Sequence, residues 1–197
     1  MSKRKITILA ERADPRDKGF QCVKGSSYYH FMIRRYAFCL PLIEHKIVLD
    51  IPCGVGWGTS TLWGYKKIYA IDICKEALIY GHSQFNPNIK LITGDMAQIP
   101  LKANSIDCVL CLDGYEHISL EKQYIFIDEV VRILKLKGTL VLITPPYFAA
   151  NPFNPYHTHE AKYEEIMDAL LNKITIIYEQ VIDKNIDPNL FLIGERK

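Results

Sequence analysis

No stretch of this sequence stays apolar for the ~18 residues that a bilayer-crossing helix needs. The best candidate, FMIRRYAFCLPLI, is broken by Arg34 and Arg35. The early run ITILA (residues 6–10) is too short for the apolar core of an export signal and leads at once into the charged ERADPRDK. Membrane insertion and export are therefore not expected, and the protein reads as cytoplasmic. Charge of one sign is scarce as well. The formal net charge is +2, with no basic run beyond Lys3-Arg4-Lys5, so no nucleic-acid partner is expected. The six cysteines lack metal-ligand spacing apart from Cys108-Val-Leu-Cys111. That pair lies in IDCVLCL, which reads as a strand, where side chains three apart face opposite ways and serve as core thiols. Internal repeats and low-complexity segments are absent.

What is present is an ordinary globular balance, 49% hydrophobic and 23% charged over 197 residues, enough for one substantial core. A single domain over residues 1–197 is expected, with a lead-in and helix over 1–45 and a core over 46–197. From Ser27 to about His45 the apolar positions Phe31, Ile33, Ala37, Phe38 and Leu40 mix with Arg34 and Arg35 in an amphipathic helix limited near Pro41. Tyr28, Tyr29, His30 and Tyr36 give that helix an aromatic surface suited to packing or to an acceptor.

The segment VLDIPCGVGWGT (48–59) reads as a strand, a tight loop with Gly54, Gly56 and Gly58, and a helix start. KIYAI (67–71) is a second strand ending in Asp72, before a helix over about 76–84. An acid about 20 residues past a glycine loop sits where it can accept ribose hydroxyls. NIKLIT (88–93) leads to Gly94-Asp95-Met96, and SIDCVLCL (105–112) leads to Asp113-Gly-Tyr-Glu116-His117. A helix over about 121–136 precedes a fifth strand, TLVLIT. Next come a lid-like loop over 145–160, a helix over about 161–171 and two final strands, KITIIYEQV and LFLIGER. Successive strand tips thus carry acids or glycines, and open α/β sheets bind ligands at those ends.

This ordered set resembles the class I S-adenosylmethionine-dependent methyltransferases, especially small enzymes acting on sugars, lipids or metabolites. VLDIPCGVGWGT resembles the cofactor loop, AIDICKEAL the ribose segment, GDMAQIPLKANSIDCV the adenine segment and RILKLKGTLVLITP the approach to the fifth strand. The resemblance implies a Rossmann-like, doubly wound α/β fold. Its sheet would have seven mostly parallel strands in the order 3-2-1-4-5-7-6, the last antiparallel, with an N-terminal helical extension. It implies S-adenosyl-L-methionine as cofactor, leaving S-adenosyl-L-homocysteine. Asp50, Gly54 and Gly56 would surround the methionyl part, Asp72 and Ile73 the ribose, and Asp95 with the Met96 backbone the adenine. Asp113 opens the acidic segment ending in Glu-His. Pro52 replaces the loop's usual first glycine, a departure that alters contacts while the later glycines remain.

A methyl group on a sulfonium is already activated, so the chain must align a nucleophile, exclude water and remove a proton where needed. His117 at the fourth strand tip and His157 in the lid-like loop are the candidate catalytic bases for a hydroxyl or amine of a small-molecule acceptor. For His117 the structural reading, starting a helix or bracing the cofactor loop, outweighs the catalytic one, while for His157 a structural loop role stands level with substrate contact or catalysis. His157, His159 and Glu160 alternate as metal ligands might, but no further ligand set accompanies them, and no metal is expected. Thr144-Pro-Pro-Tyr147 is similar to a motif of base- and glutamine-modifying amino-methyltransferases, yet it follows the fifth strand rather than the fourth. Two other readings stay open. A dehydrogenase also uses a glycine loop and an acid, although Thr59 stands where G-x-G-x-x-G needs its last glycine. A non-catalytic cofactor-binding partner subunit would keep the same loop.

Overall fold

The computed structural model describes residues 27–82, 84, 88–145, 154–181 and 189–197. The lead-in 1–26, residues 146–153 of the lid-like loop 145–160, and residues 182–188 lie outside these residues.

The apolar runs become strands β1 (Ile47–Asp50), β2 (Lys67–Asp72), β3 (Lys90–Thr93), β4 (Ile106–Leu112), β5 (Leu134–Thr144), β6 (Ile174–Val181) and β7 (Leu190–Arg196). They form one sheet in the order β3-β2-β1-β4-β5-β7-β6, the order that the family resemblance implied. β1 to β5 run parallel, and β7 is antiparallel to both of its neighbours. Central strands such as β4 (IDCVLCL) are buried on both faces, which is why they read as continuous hydrophobic runs without polar alternation.

Helices cover both faces. α1 (Ser27–Ile43) and α2 (Lys75–His82) pack on one, through Met32, Cys39, Ile43, Ala77 and Leu78. α3 (Leu120–Ile133) and α4 (Tyr163–Leu170) pack on the other, through Phe126, Ile127, Val130, Ile133, Ile166 and Leu170. Cys108 belongs to the first layer and Cys111 to the second, so the C-x-x-C pair is split across the sheet as strand geometry demands.

Four local expectations change. The buried stripe of α1 is Met32, Arg35, Tyr36, Cys39 and Ile43, while Ala37 is exposed. The helix is therefore rotated from the predicted phase and carries an arginine on its inner face. α1 also runs through Pro41 to Ile43: the ring is exposed, and burial of Cys39 and Ile43 offsets the single lost backbone hydrogen bond. After the glycine loop comes one 3-10 turn, Thr59–Thr61, instead of an α-helix. Finally, α3 stops at Ile133 and β5 begins at Leu134, five residues before the expected TLVLIT strand. Lys135 pairs with Asp107 at 2.7 Å and Lys137 takes a left-handed φ of 62°, so the register slips between Ile106 and Cys108.

Candidate functional site

β1 and β4 are neighbours although β1 precedes β2 in sequence, so the chain order reverses between them. That switch point opens a crevice at the carboxyl ends of the strands. The predicted site residues Asp50, Asp72, Asp95 and Asp113 all stand at those ends.

Asp50 closes β1 and is fully buried. The Thr59 hydroxyl donates to its Oδ2 at 2.5 Å and the Tyr36 hydroxyl at 3.3 Å, while Oδ1 has no hydrogen-bond partner among the described residues. Burial pushes the carboxyl up to about 7 against the pull of those two hydroxyls. The loop that follows needs glycine at two points, with φ of 59° at Gly54 and 77° at Gly56. At Gly58 the reason is different, since a Cβ there would run into the ring of Tyr36. Pro52 lies against Gly114, tying the loop to the β4 tip.

Asp72 closes β2 and organises the loop directly: the Gly54 amide donates to Oδ2 at 3.0 Å and the Cys74 amide to Oδ1 at 2.8 Å. Ile73 beside it is 64% exposed, a large apolar side chain left facing outward. Asp95 caps its own turn by accepting from the Ala97 amide at 2.8 Å and pairs with Lys122 Nζ at 2.9 Å. These bonds hold its carboxyl below the usual range, the Ala97 amide most of all. Met96 is buried in the α3 side of the core.

The other end of the crevice is built from distant segments. Asp113, with φ of 53°, forms an ion pair with Arg35 of α1, so the inward arginine of that helix meets a carboxylate from β4. Glu116 is 2% exposed and accepts from the Thr144 hydroxyl at 3.1 Å; burial first and then the charge of Asp113 push it up to about 8. His117 and His157 come together with ring centroids 5.1 Å apart, edge to face. His117 Nδ1 lies 3.0 Å from the Tyr156 carbonyl, and His157 Nδ1 lies 2.5 Å from Glu160 Oε1. The backbone ties these loops together, since the Thr158 and His159 amides both donate to the Glu116 carbonyl. Gln123 reinforces this by donating to the carbonyls of Tyr115 and His159, each at 2.8 Å. His159 itself turns to Glu165 at 2.8 Å, so the sequence set His157, His159 and Glu160 is divided.

The structure thus groups Asp50, Gly54 and Asp72 into one linked cradle, and His117 with His157 into another cluster. Asp95 stands apart on Lys122. Sequence reasoning missed Arg35 as a site residue and put Tyr36 on the aromatic surface of its helix instead of buried against Asp50, and it missed Thr59 and Thr144. A charged and a phenolic side chain inside an apolar helix were the available signal for the first two. An adenosyl cofactor fits this cradle: Asp50 Oδ1 is an unsatisfied buried acceptor, the glycine loop admits close backbone approach, and exposed Ile73 offers an apolar face.

Known proteins point the same way. The methyltransferase-domain family profile matches residues 49–142. A probable S-adenosylmethionine-dependent methyltransferase of Mycobacterium tuberculosis is 27% identical over 143 residues, covering 70% of this chain and 51% of that protein. The chain therefore spans about half the length of that curated relative. Among solved structures, the N-methyltransferase NodS from Bradyrhizobium japonicum in complex with S-adenosyl-L-homocysteine is similar with a TM-score of 0.76 at 17% identity, covering 99% of each chain. A methyltransferase bound to the Trm112 methyltransferase activator of Haloferax volcanii is similar with a TM-score of 0.71 at 16% identity, covering 88% of this chain and 92% of that one. At these identities the two structures speak to the fold alone.

Proposed function

We propose that the chain is a class I S-adenosylmethionine-dependent methyltransferase that transfers a methyl group to a hydroxyl or amine of a small molecule, a sugar, lipid or other metabolite; the methyltransferase-domain profile over residues 49–142 supports that reading. S-adenosyl-L-methionine, the cofactor of that family, supplies an electrophilic methyl carbon on a sulfonium. The observation that carries the proposal is the placement of two half-buried imidazoles, His117 and His157, on the same strand ends as the linked cradle of Asp50, Gly54 and Asp72.

In this reading Asp50, Pro52, Gly54 and Gly56 surround the methionyl part, and Asp113, paired with Arg35, touches the cofactor where it meets the acceptor end. Asp72 and Ile73 hold the ribose, and Asp95 with the Met96 backbone meets the adenine. His117 and His157 flank the acceptor and promote loss of its proton. The buried hydrogen-bonded carboxylates orient these groups beforehand, so most of the rate comes from alignment and exclusion of water.

Thermal denaturation tests the cofactor assignment. S-adenosyl-L-homocysteine should raise the melting temperature and NAD should not, because only a ligand of the native state stabilises it; a shift with NAD alone would favour a dehydrogenase. Transfer of labelled methyl groups to fractionated metabolites then tests turnover. Homocysteine-analogue binding without any labelled product would favour the non-catalytic subunit.

A further inference from the structure

We propose that Glu116, His117 and His157 form a binding site for one divalent first-row transition-metal ion, Zn²⁺ or a close relative, at the acceptor end of the crevice. This deepens the reading above, because it rests on the acceptor lying against the imidazole pair. One ligand atom from each of the three residues lies within 4.8 Å of the other two. Zinc bonds to nitrogen and oxygen of about 2.0–2.2 Å require the ligand atoms to converge by roughly an ångström, which side-chain rotation provides.

The hydrogen bonds around the cluster are those of a metal centre. The Tyr156 carbonyl can only accept, so His117 Nδ1 carries the proton and Nε2 the lone pair. Glu160 Oε1 fixes the same tautomer on His157, at 2.5 Å. Metal-binding histidines characteristically donate their second N–H to a carbonyl or carboxylate in this way, which orients the ring and raises its basicity. The third ligand is held too, by the Thr144 hydroxyl on Glu116 Oε2. Thr158 adds a bond from its hydroxyl to the His117 carbonyl at 3.0 Å, so the two loops bearing the imidazoles cannot drift apart independently.

Accessibility is one-sided. Glu116 is buried whereas His117 and His157 are only half-buried, so a bound ion would be closed on the protein side and open toward the crevice. Two imidazoles and one carboxylate with no thiolate favour a first-row transition ion over Mg²⁺ or Ca²⁺, which take all-oxygen shells. Three protein ligands leave a coordination position for an acceptor oxygen; with both imidazole lone pairs on the ion, the acidified proton would pass to water at the open side, and the oxygen would take the methyl group from the sulfonium, which leaves as the neutral thioether. The ion changes no oxidation state, and no covalent bond to the protein forms.

Cobalt(II) titration of chelator-treated, untagged full-length protein is the direct test, read by visible absorption and by the melting temperature. The expected result is one cobalt ion per chain, with the intense bands of a low-coordinate nitrogen and oxygen site, displaced by Zn²⁺. In His117→Gln and His157→Gln the bands should disappear while S-adenosyl-L-homocysteine still raises the melting temperature, showing that both variants fold. Absence of bands in the wild-type protein, or bands that persist in both variants, would overturn the site. Labelled methyl transfer assayed on the same samples separates the two proposals. Full turnover without cobalt binding leaves methyl transfer standing and removes the metal. Cobalt binding with no turnover under any metal loading does the reverse.

Discussion

The two ends of the crevice are made differently. The proposed cofactor cradle uses near neighbours: Asp50, Gly54 and Thr59 lie within one short segment, and Asp72 reaches Gly54 from the adjoining parallel strand 18 positions on. The acceptor end joins parts that are far apart in sequence. Arg35 meets Asp113 across 78 positions, and His117 contacts the Tyr156 carbonyl across 39. A cradle of this kind is set by strand register and backbone conformation, whereas the acceptor end depends on α1, the β4 tip and the segment after β5 all being docked. The first should survive single substitutions near the second, and substitutions in the first should show as lost cofactor affinity.

The largest effect should come from Arg35→Ala. It leaves Asp113 as an uncompensated, mostly buried charge beside Glu116, and breaking such a pair costs about 3–5 kcal/mol. Chemical denaturation should show that loss, and adding Asp113→Asn should recover part of it; strictly additive losses would mean that the two groups do not interact. His157→Ala comes next. Turnover should fall about 100-fold, the scale of losing acceptor activation, while affinity for S-adenosyl-L-homocysteine by calorimetry stays within about twofold. Equal losses in both quantities would erase the distinction between the two ends.

Asp72→Ala should do the opposite, weakening S-adenosyl-L-homocysteine about 30-fold, roughly 2 kcal/mol for a charged acceptor that also anchors the Gly54 amide. Unchanged affinity would remove Asp72 from the ribose site. Gly58→Ala pushes Tyr36 off the loop and should cost about 1–3 kcal/mol of stability by overpacking, without displacing Asp72.

The smallest effect concerns pH. The folded pKa of Asp50 is raised to about 7 from 3.8, so the native state holds a proton that the unfolded chain has released across that interval. Its contribution therefore favours the folded protein most below pH about 4 and is lost as pH rises through about 7. Asp50→Asn should flatten the decline in melting temperature between about pH 5 and 8 relative to wild type. Glu116 titrates in the same direction and leaves some slope in the variant. An unaltered slope would mean that Asp50 is ionised in the folded protein at lower pH than its burial implies.

How much of this was legible follows from the same contrast. The strands were readable because burial on both faces writes long apolar runs, whereas their order came from the resemblance that the glycine loop and the strand-tip acids carry. The end of α3 was misread, since LKLKG suits an amphipathic helix and a solvent-edged strand alike; pairing of Leu134 with Ile106 and the bond from Lys135 to Asp107 decide for the strand. The helix after the glycine loop was misread too. Trp63 and Gly64, with φ of 81°, turn the chain back toward β2 after a single 3-10 turn.

Residue types and short spacings were enough to point to the α/β fold class and to place acids and glycines at successive strand tips, because local backbone preferences and short-range spacing are encoded directly in the residues. The tertiary structure alone decided that Arg35 faces inward to Asp113, that Tyr36 shares Asp50 with Thr59, and that His117 and His157 meet over Glu116. Those contacts depend on how whole elements rotate and dock, and docking is fixed by the summed burial of many side chains, which no single spacing along the chain records.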